Sequence, residues 1–72
     1  MKVKKVQNNL KELRFKNKIS QEQLAMKVGC TRQTIHSIEN NKYSPSFLLV
    51  SKIAYVLNSN ANEIITITFE KV

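Results

Sequence analysis

Apolar side chains recur every three or four positions through most of this chain of 72 residues, with polar side chains between them. Such spacing puts the apolar side chains on one face of a helix. It predicts helices over about residues 6–17, 21–28, 32–40 and 45–57, and a single helical turn over residues 61–64. In the fourth helix the predicted core positions are Phe47, Val50, Ile53, Ala54 and Leu57.

The C-terminal tail follows a strand pattern instead. Residues 65–69 alternate Ile-Thr-Ile-Thr-Phe, which is typical of a strand with one buried face. We expect residues 65–72 to form a C-terminal strand that pairs antiparallel with an N-terminal strand in residues 1–5, because pairing covers an open sheet edge. Alternatively, residues 1–5 are a mobile basic arm, or the two strands are exchanged between the subunits of a dimer.

Two short helical segments lie between residues 20 and 40, and Gly29, the only glycine in the chain, separates them. Two short helices joined by a turn that contains glycine form a helix-turn-helix. Ser20 and Gln23 predict a capping box at the start of the first segment, and Thr31 is placed to cap the second. Gly29 is expected to be left-handed, and any Cβ there should distort the angle between the helices.

The second segment has one narrow apolar stripe and a broad polar face. With Arg32 set at zero and about 100° per residue, Ile38 and Ile35 fall at roughly 240° and 300°. The opposite arc, from zero to about 140°, carries no carboxylate. Its side chains belong to Arg32, Gln33, His36, Ser37 and Asn40. Such groups hydrogen-bond to base edges in the DNA major groove, although an ordinary surface helix has the same periodicity.

A spaced set of residues extends this pattern over about residues 8–65. It comprises Gln21, Leu24, Ala25, Gly29, Thr31, Gln33, Thr34, Ile35, Ile38, Glu39, Asn40, Lys42 and Ser44-Pro45-Ser46. The set resembles the Cro/CI-type (XRE) helix-turn-helix family of transcriptional regulators, and most closely its small stand-alone dimeric repressors. The resemblance implies an all-α, five-helix lambda-repressor-like DNA-binding domain, to which the terminal segments add a short antiparallel β-pair.

The resemblance also implies roles for individual residues. Base reading is expected of Arg32, Gln33, His36 and Ser37. Contact with DNA phosphates is expected of Gln21, Thr31, Asn40, Asn41 and Lys42, with the backbone amides of the loop after the second segment contributing. A shielded ion pair is expected between Arg14 and Glu39. A homodimer interface is expected from Leu57, Ile64 and Ile65.

Size, charge and cysteine content restrict the function further. A chain of this length predicts one domain, residues 1–72, with no room for a separate effector-binding or catalytic domain. Its net charge of +7 and isoelectric point near 9.9 favour polyanions, with nucleic acid ahead of anionic membrane. No apolar run approaches the ~20 residues of a membrane span. The single cysteine, Cys30, fits a reducing cytoplasm and reads as a small buried hydrophobe rather than a redox switch.

The sequence thus predicts a cytoplasmic, homodimeric regulator that binds double-stranded DNA at a pseudo-palindromic operator and represses transcription. No metal, cofactor or membrane is expected to take part. The alternative is an antitoxin or protein-interaction module of the same fold, which would bind an unknown partner protein through Leu48, Tyr55 and the tail. An enzyme is not expected, because paired carboxylates, a Ser/His/Asp set, metal-ligand spacing and a phosphate loop are all missing. The operator sequence, the regulated genes and the inducing signal stay open.

Overall fold

The computed structural model describes residues 1–71, which form five helices and one two-stranded antiparallel sheet. This confirms the predicted mostly helical fold with a terminal β-pair. In chain order the elements are β1 (Val3–Asn8), α1 (Leu10–Lys16), α2 (Gln21–Val28), α3 (Arg32–Glu39), α4 (Phe47–Val56), α5 (Ala61–Ile64) and β2 (Ile65–Phe69). No helix in the described part of the chain is both long and apolar enough to cross a lipid bilayer.

A single hydrophobic core holds the five helices together. Every helix, or the residue that ends it, contributes at least one fully buried side chain. These side chains are Leu10, Leu24, Ile35, Ile38, Ile53, Leu57 and Ile64. Truncating any one of them to alanine is expected to destabilise the fold by about 2–5 kcal/mol, since a cavity is left behind. Because α2 and α3 both contribute side chains to this core, the core fixes the position of α3 relative to α2.

The first helix is shorter than its periodicity predicts. The apolar spacing predicts a start of α1 near residue 6, whereas Val6 lies in β1 and is about half exposed. Tertiary hydrogen bonds explain the difference. The Asn8 side chain donates to the Ile38 carbonyl at 2.7 Å and accepts from the Leu10 amide at 2.9 Å, while the Asn9 amide donates to the Ile64 carbonyl. These bonds hold the backbone extended through Asn8 and let the helix begin only at Leu10.

The fourth helix also begins later than predicted. Its cap is Ser46, whose hydroxyl accepts from the Leu49 amide at 3.1 Å, so Pro45 precedes the cap instead of opening the helix. Phe47 is therefore the first helical residue, and it is 79% exposed, which contradicts its predicted core position. The first turn of α4 extends beyond the end of the core, so the apolar spacing that predicts a buried Phe47 continues into an exposed part of the helix.

The helix-turn-helix has the predicted caps. Ser20 and Gln23 form the reciprocal capping box, and Thr31 accepts from the Thr34 amide at 3.1 Å. Gly29 ends α2 in the left-handed conformation with φ +81°. A Cβ built on Gly29 would have no atom within 4 Å, so a side chain there meets no steric obstacle, and the expected distortion of the turn stays a prediction that rests on backbone strain. Only the backbone preference against positive φ remains.

Candidate nucleic-acid interface

The exposed face of α3 is the candidate interface. Ile35 and Ile38 are fully buried against the core, so the helix can turn only its opposite side to solvent. That side presents the four predicted base-reading side chains, of which Arg32, Gln33 and His36 are exposed and Ser37 is half-buried. The only carboxylate of α3 belongs to Glu39 at its end. The outward face can therefore donate hydrogen bonds to an anionic ligand without a carboxylate opposing it.

Glu39 is neutralised from behind by Arg14. The Arg14 Nε lies 2.8 Å from Glu39 Oε2, and the two side chains are only 7% and 3% exposed. Arg14 also donates to the Ile19 carbonyl at 3.1 Å, and the Phe15 ring lies 4.7 Å from the guanidinium carbon and covers it from solvent. The structure thus contains the ion pair that the resemblance implied, and this pair joins α1 to the end of α3. The covering role of Phe15 was missed because an exposed aromatic residue has no distinctive sequence pattern.

Gln21 extends this pair toward the start of α3. Its Nε2 donates to Glu39 Oε1 at 3.0 Å, and its Oε1 accepts from an Arg32 guanidinium nitrogen at 3.4 Å. The side chain of Gln21 is therefore engaged within the protein through its oxygen and through one of the two N–H groups of Nε2. Thr31 is likewise occupied, since its hydroxyl caps α3. The contacts of Gln21 link the start of α2 to both ends of α3, at Arg32 and at Glu39.

The loop after α3 closes the helix with left-handed Asn41, φ +57°. The amides of Asn41 and Lys42 donate to the carbonyls of Ile38 and Ser37 at 3.1 and 2.9 Å, a Schellman arrangement. The Asn40 side chain folds back onto the His36 carbonyl at 2.8 Å. These two amides are therefore not free to bind phosphate, contrary to the expectation for this loop. Lys42 is exposed and is the positively charged side chain of this loop.

Comparison with known proteins identifies the family. Residues 10–64 match the helix-turn-helix family HTH_3. The chain belongs to this family. It is 42% identical over 59 residues to an uncharacterized HTH-type transcriptional regulator of Archaeoglobus fulgidus, which covers 82% of this chain and 83% of that protein. It is 41% identical over 59 residues to the uncharacterized HTH-type transcriptional regulator YgzD of Bacillus subtilis, covering 82% and 89% of the two chains.

Solved structures of similar fold agree with this assignment. The restriction-modification controller protein C.AhdI of Aeromonas hydrophila superposes with a TM-score of 0.73 at 30% identity, over 78% of this chain and 81% of that one. The SinR protein in its complex with the SinI protein superposes with a TM-score of 0.72 at 28% identity, over 78% and 55% of the two chains. This HTH_3 chain is thus a DNA-binding regulator of the XRE type, a class of transcription factors rather than of enzymes.

The predicted dimer residues of this HTH_3 domain need correction. Leu57 and Ile64 are only 2% and 0% exposed, because both fill the core of the same chain. A partner subunit cannot contact side chains that its own subunit already encloses. Ile65, at the start of β2, is half-buried and keeps an accessible edge. Of the three predicted residues, only Ile65 can contribute to an interface without unfolding.

Tyr43 lies beside the exposed face of α3 in this HTH_3 domain. Tyr43 lines a cleft of about 290 Å³ with Gln33, Ser37 and Lys42, so its ring stands beside the predicted DNA contacts. Sequence reasoning did not assign Tyr43 a role, although an aromatic residue directly after a helix-ending turn was a usable signal.

Cys30 packs against the core as a partly buried side chain, and burial raises the pKa of its thiol. Residues 1–71 hold no cluster of side chains suited to a metal ion.

Proposed function

We propose that this protein is a cytoplasmic repressor that binds a pseudo-palindromic DNA operator as a homodimer. The observation that carries the proposal is the two-sided α3, with Ile35 and Ile38 buried and a carboxylate-free row of polar side chains outside. A helix of this kind fits the major groove, where hydrogen-bonding side chains distinguish base pairs. Repression follows from occlusion of the promoter, since a protein bound in the groove there blocks access of the polymerase to the promoter DNA. Catalysis has no part in this mechanism.

The proposed reading surface divides into base and phosphate contacts. The base contacts come from Arg32, Gln33, His36 and Ser37. In the major groove arginine prefers guanine O6 and N7, and glutamine prefers adenine N6 and N7. The ion pair at the end of α3 and the Gln21 contact at its start support this assignment, because a helix held at both ends loses little entropy when it binds.

The proposed phosphate contacts flank α3 at both ends and come from Gln21, Thr31, Asn40, Asn41 and Lys42. At the start, the first turn of α2 brings amide donors and the positive end of a helix dipole. At the end, Lys42 brings a full positive charge. Lysines elsewhere on the surface add affinity through release of counterions, which does not depend on sequence.

Selection from random duplexes, followed by footprinting, tests the proposal directly. We expect an enriched site with two-fold symmetry and half-site centres about 34 Å apart. On that site, Gln33→Ala should relax the preference at one base position by about 1–3 kcal/mol. Lys42→Ala should instead weaken binding to all duplexes alike and reduce the slope of log K against log salt by about one unit.

Lys52→Ala is the matched control for Lys42→Ala, because Lys52 is an exposed lysine on α4, outside the reading surface. It should change neither preference nor affinity beyond the small loss from one general surface charge. Uniform loss of affinity in both Gln33→Ala and Lys42→Ala would show that α3 does not read bases. Failure to bind any duplex in dilute buffer would refute the proposal as a whole.

A second function, binding of a partner protein, is supported by a separate surface. Leu48 and Tyr55 are exposed on α4, and Tyr55 borders a cleft of about 570 Å³ with Met26 and two lysines. The similar SinR protein was solved in complex with SinI, so this fold is compatible with a protein partner. A stoichiometric partner that co-purifies and is lost in Tyr55→Ala would favour this function over operator binding by a homodimer.

A further inference from the structure

One face of the two-stranded sheet is apolar and uncovered. Val6 pairs with Ile67, and Val3 pairs with Phe69 beyond a register shift between Val3 and Lys5. The shift brings Val3 to the face of Val6 although the two are three residues apart, so these four side chains lie on the same face as Ile65. Val3, Val6, Ile67 and Phe69 are each about half exposed. The other face carries Lys5, Gln7, Thr66 and Thr68, which is the normal solvent-facing composition. The apolar face is thus turned to solvent in a single copy of the chain.

This apolar surface continues beyond the sheet. A cleft of about 380 Å³ joins Val6, Ile65 and Ile67 to Tyr43 and Pro45. A second cleft of similar size joins Pro45, Ile65 and Ile67 to Phe47, the first residue of α4. We call the whole surface the sheet–α4 face. It consists of Val3, Val6, Tyr43, Phe47, Ile67 and Phe69, with Pro45 and Ile65 between them.

The size of the sheet–α4 face matches what a dimer requires. An aromatic side chain can bury about 150–250 Å² and an aliphatic one somewhat less, so the exposed fractions sum to on the order of 600 Å² of apolar surface. A typical monomer has a largest apolar patch of about 300–600 Å². A standard interface takes about 800 Å² from each partner, of which about 65% is apolar in homodimers, or about 500 Å². The face therefore supplies the apolar part of one complete interface.

Charge decides which partner fits. Among the described residues, no charged one lines either cleft of the sheet–α4 face, so the two clefts of a chain with net charge +7 can meet those of a second copy without placing lysines against each other. The other apolar cleft, between α2 and α4, is bordered by Lys27 and Lys52. Two copies meeting at that cleft would place lysines against lysines, which is unfavourable. A second copy of this chain is thus suited to the first surface and not to the second.

We propose that a second copy of the chain packs on the sheet–α4 face across a two-fold axis, which makes this face the dimer interface in place of the buried Leu57 and Ile64. This inference rests on the proposed function, in that it names the surface of the homodimer proposed there. Tyr43 then belongs to both surfaces, since it lines the interface on one side and the cleft with Gln33 and Ser37 on the other.

Two neighbouring residues allow a matched test. Phe47 and Leu48 are the first two residues of α4, they are 79% and 65% exposed, and they point to different faces. Glutamate is tolerated at both positions because a negative charge suits the first turn of a helix. Phe47→Glu puts one carboxylate from each subunit into the proposed interface, whereas Leu48→Glu leaves that interface unchanged. Ile67→Thr is a second variant that keeps a β-branched residue in β2.

Sedimentation equilibrium on the full chain, with far-UV circular dichroism to check folding, measures the effect. We expect a wild-type dimer, a dimer Kd raised at least about 100-fold in Phe47→Glu and about 10-fold in Ile67→Thr, and a change below about 3-fold in Leu48→Glu. All three variants should keep the wild-type spectrum. A duplex carrying one half-site should bind Phe47→Glu as it binds wild type, because Phe47 lies outside the reading surface.

Two kinds of outcome overturn the inference. A wild-type chain that stays monomeric at about 200 μM would show that a different partner covers the face. A dimer that survives Phe47→Glu and Ile67→Thr, or one that Leu48→Glu dissociates instead, would place the interface elsewhere while leaving operator binding intact. Conversely, loss of the dimer in Phe47→Glu from a protein that binds no duplex would support the interface and refute only the proposed function.

Discussion

Removal of either partner of the Arg14–Glu39 pair should take away a large part of the stability of this domain. A domain of this size is stable by about 4–11 kcal/mol in total, from roughly 0.05–0.15 kcal/mol per residue. Breaking a buried ion pair by removing one partner destabilises by about 3–5 kcal/mol, because the remaining charge is buried without compensation. The two side chains are 7% and 3% exposed, so solvent cannot replace the lost partner.

The structure gives the reason for each single substitution. In Arg14→Met, the Glu39 carboxylate keeps only the amide of Gln21, at 3.0 Å, as a donor. In Glu39→Leu, the guanidinium keeps the Ile19 carbonyl at 3.1 Å and the ring of Phe15. Each variant is therefore expected to lose about 3–5 kcal/mol. The double variant Arg14→Met/Glu39→Leu removes both charges and should lose far less than the sum, with an interaction energy of at least about 3 kcal/mol.

Urea unfolding followed by circular dichroism, at one fixed protein concentration, measures all four free energies of unfolding. The fixed concentration matters because a dimer gains stability by mass action. Glu22→Gln serves as the control, since Glu22 is an exposed carboxylate on α2, and it should stay within about 0.5 kcal/mol of wild type. Single variants that lose less than about 1 kcal/mol, or a double variant equal to their sum, would refute the reasoning.

Two further predictions concern the turn of the helix-turn-helix. Gly29→Ala should lower the free energy of unfolding by about 1–2 kcal/mol, because alanine is strained at the positive φ of this position. The operator preference should stay unchanged, since the new methyl group meets no atom within 4 Å, and a changed preference in the selection assay would contradict this. Cys30 should react with iodoacetamide more slowly in the folded protein at pH 7 than after unfolding in urea, because burial raises the pKa of its thiol and keeps it protonated. In the folded protein the reaction rate should rise only at a pH above the usual thiol range. Equal rates in the folded and unfolded states would contradict this.

The sequence by itself determined the parts of this protein that depend on local spacing. The capping box of Ser20 and Gln23, the left-handed Gly29 and the two faces of α3 all follow from residues within a few positions of one another. The alternating tail likewise indicated β2. Local rules suffice there because one helical turn or one strand register decides the outcome.

Only the tertiary structure decided where helices begin and which apolar side chains are buried. Side-chain hydrogen bonds from Asn8 to residues distant in sequence kept Val6 in a strand, although its spacing fitted a helix. The limited extent of the core left Phe47 exposed, contrary to its predicted core position. The core encloses Leu57, as predicted, and also Ile64, so neither side chain is available for the predicted dimer interface. Periodicity indicates which side of an element is apolar. What covers that side depends on how far the neighbouring elements reach, and this is set by packing of the whole chain.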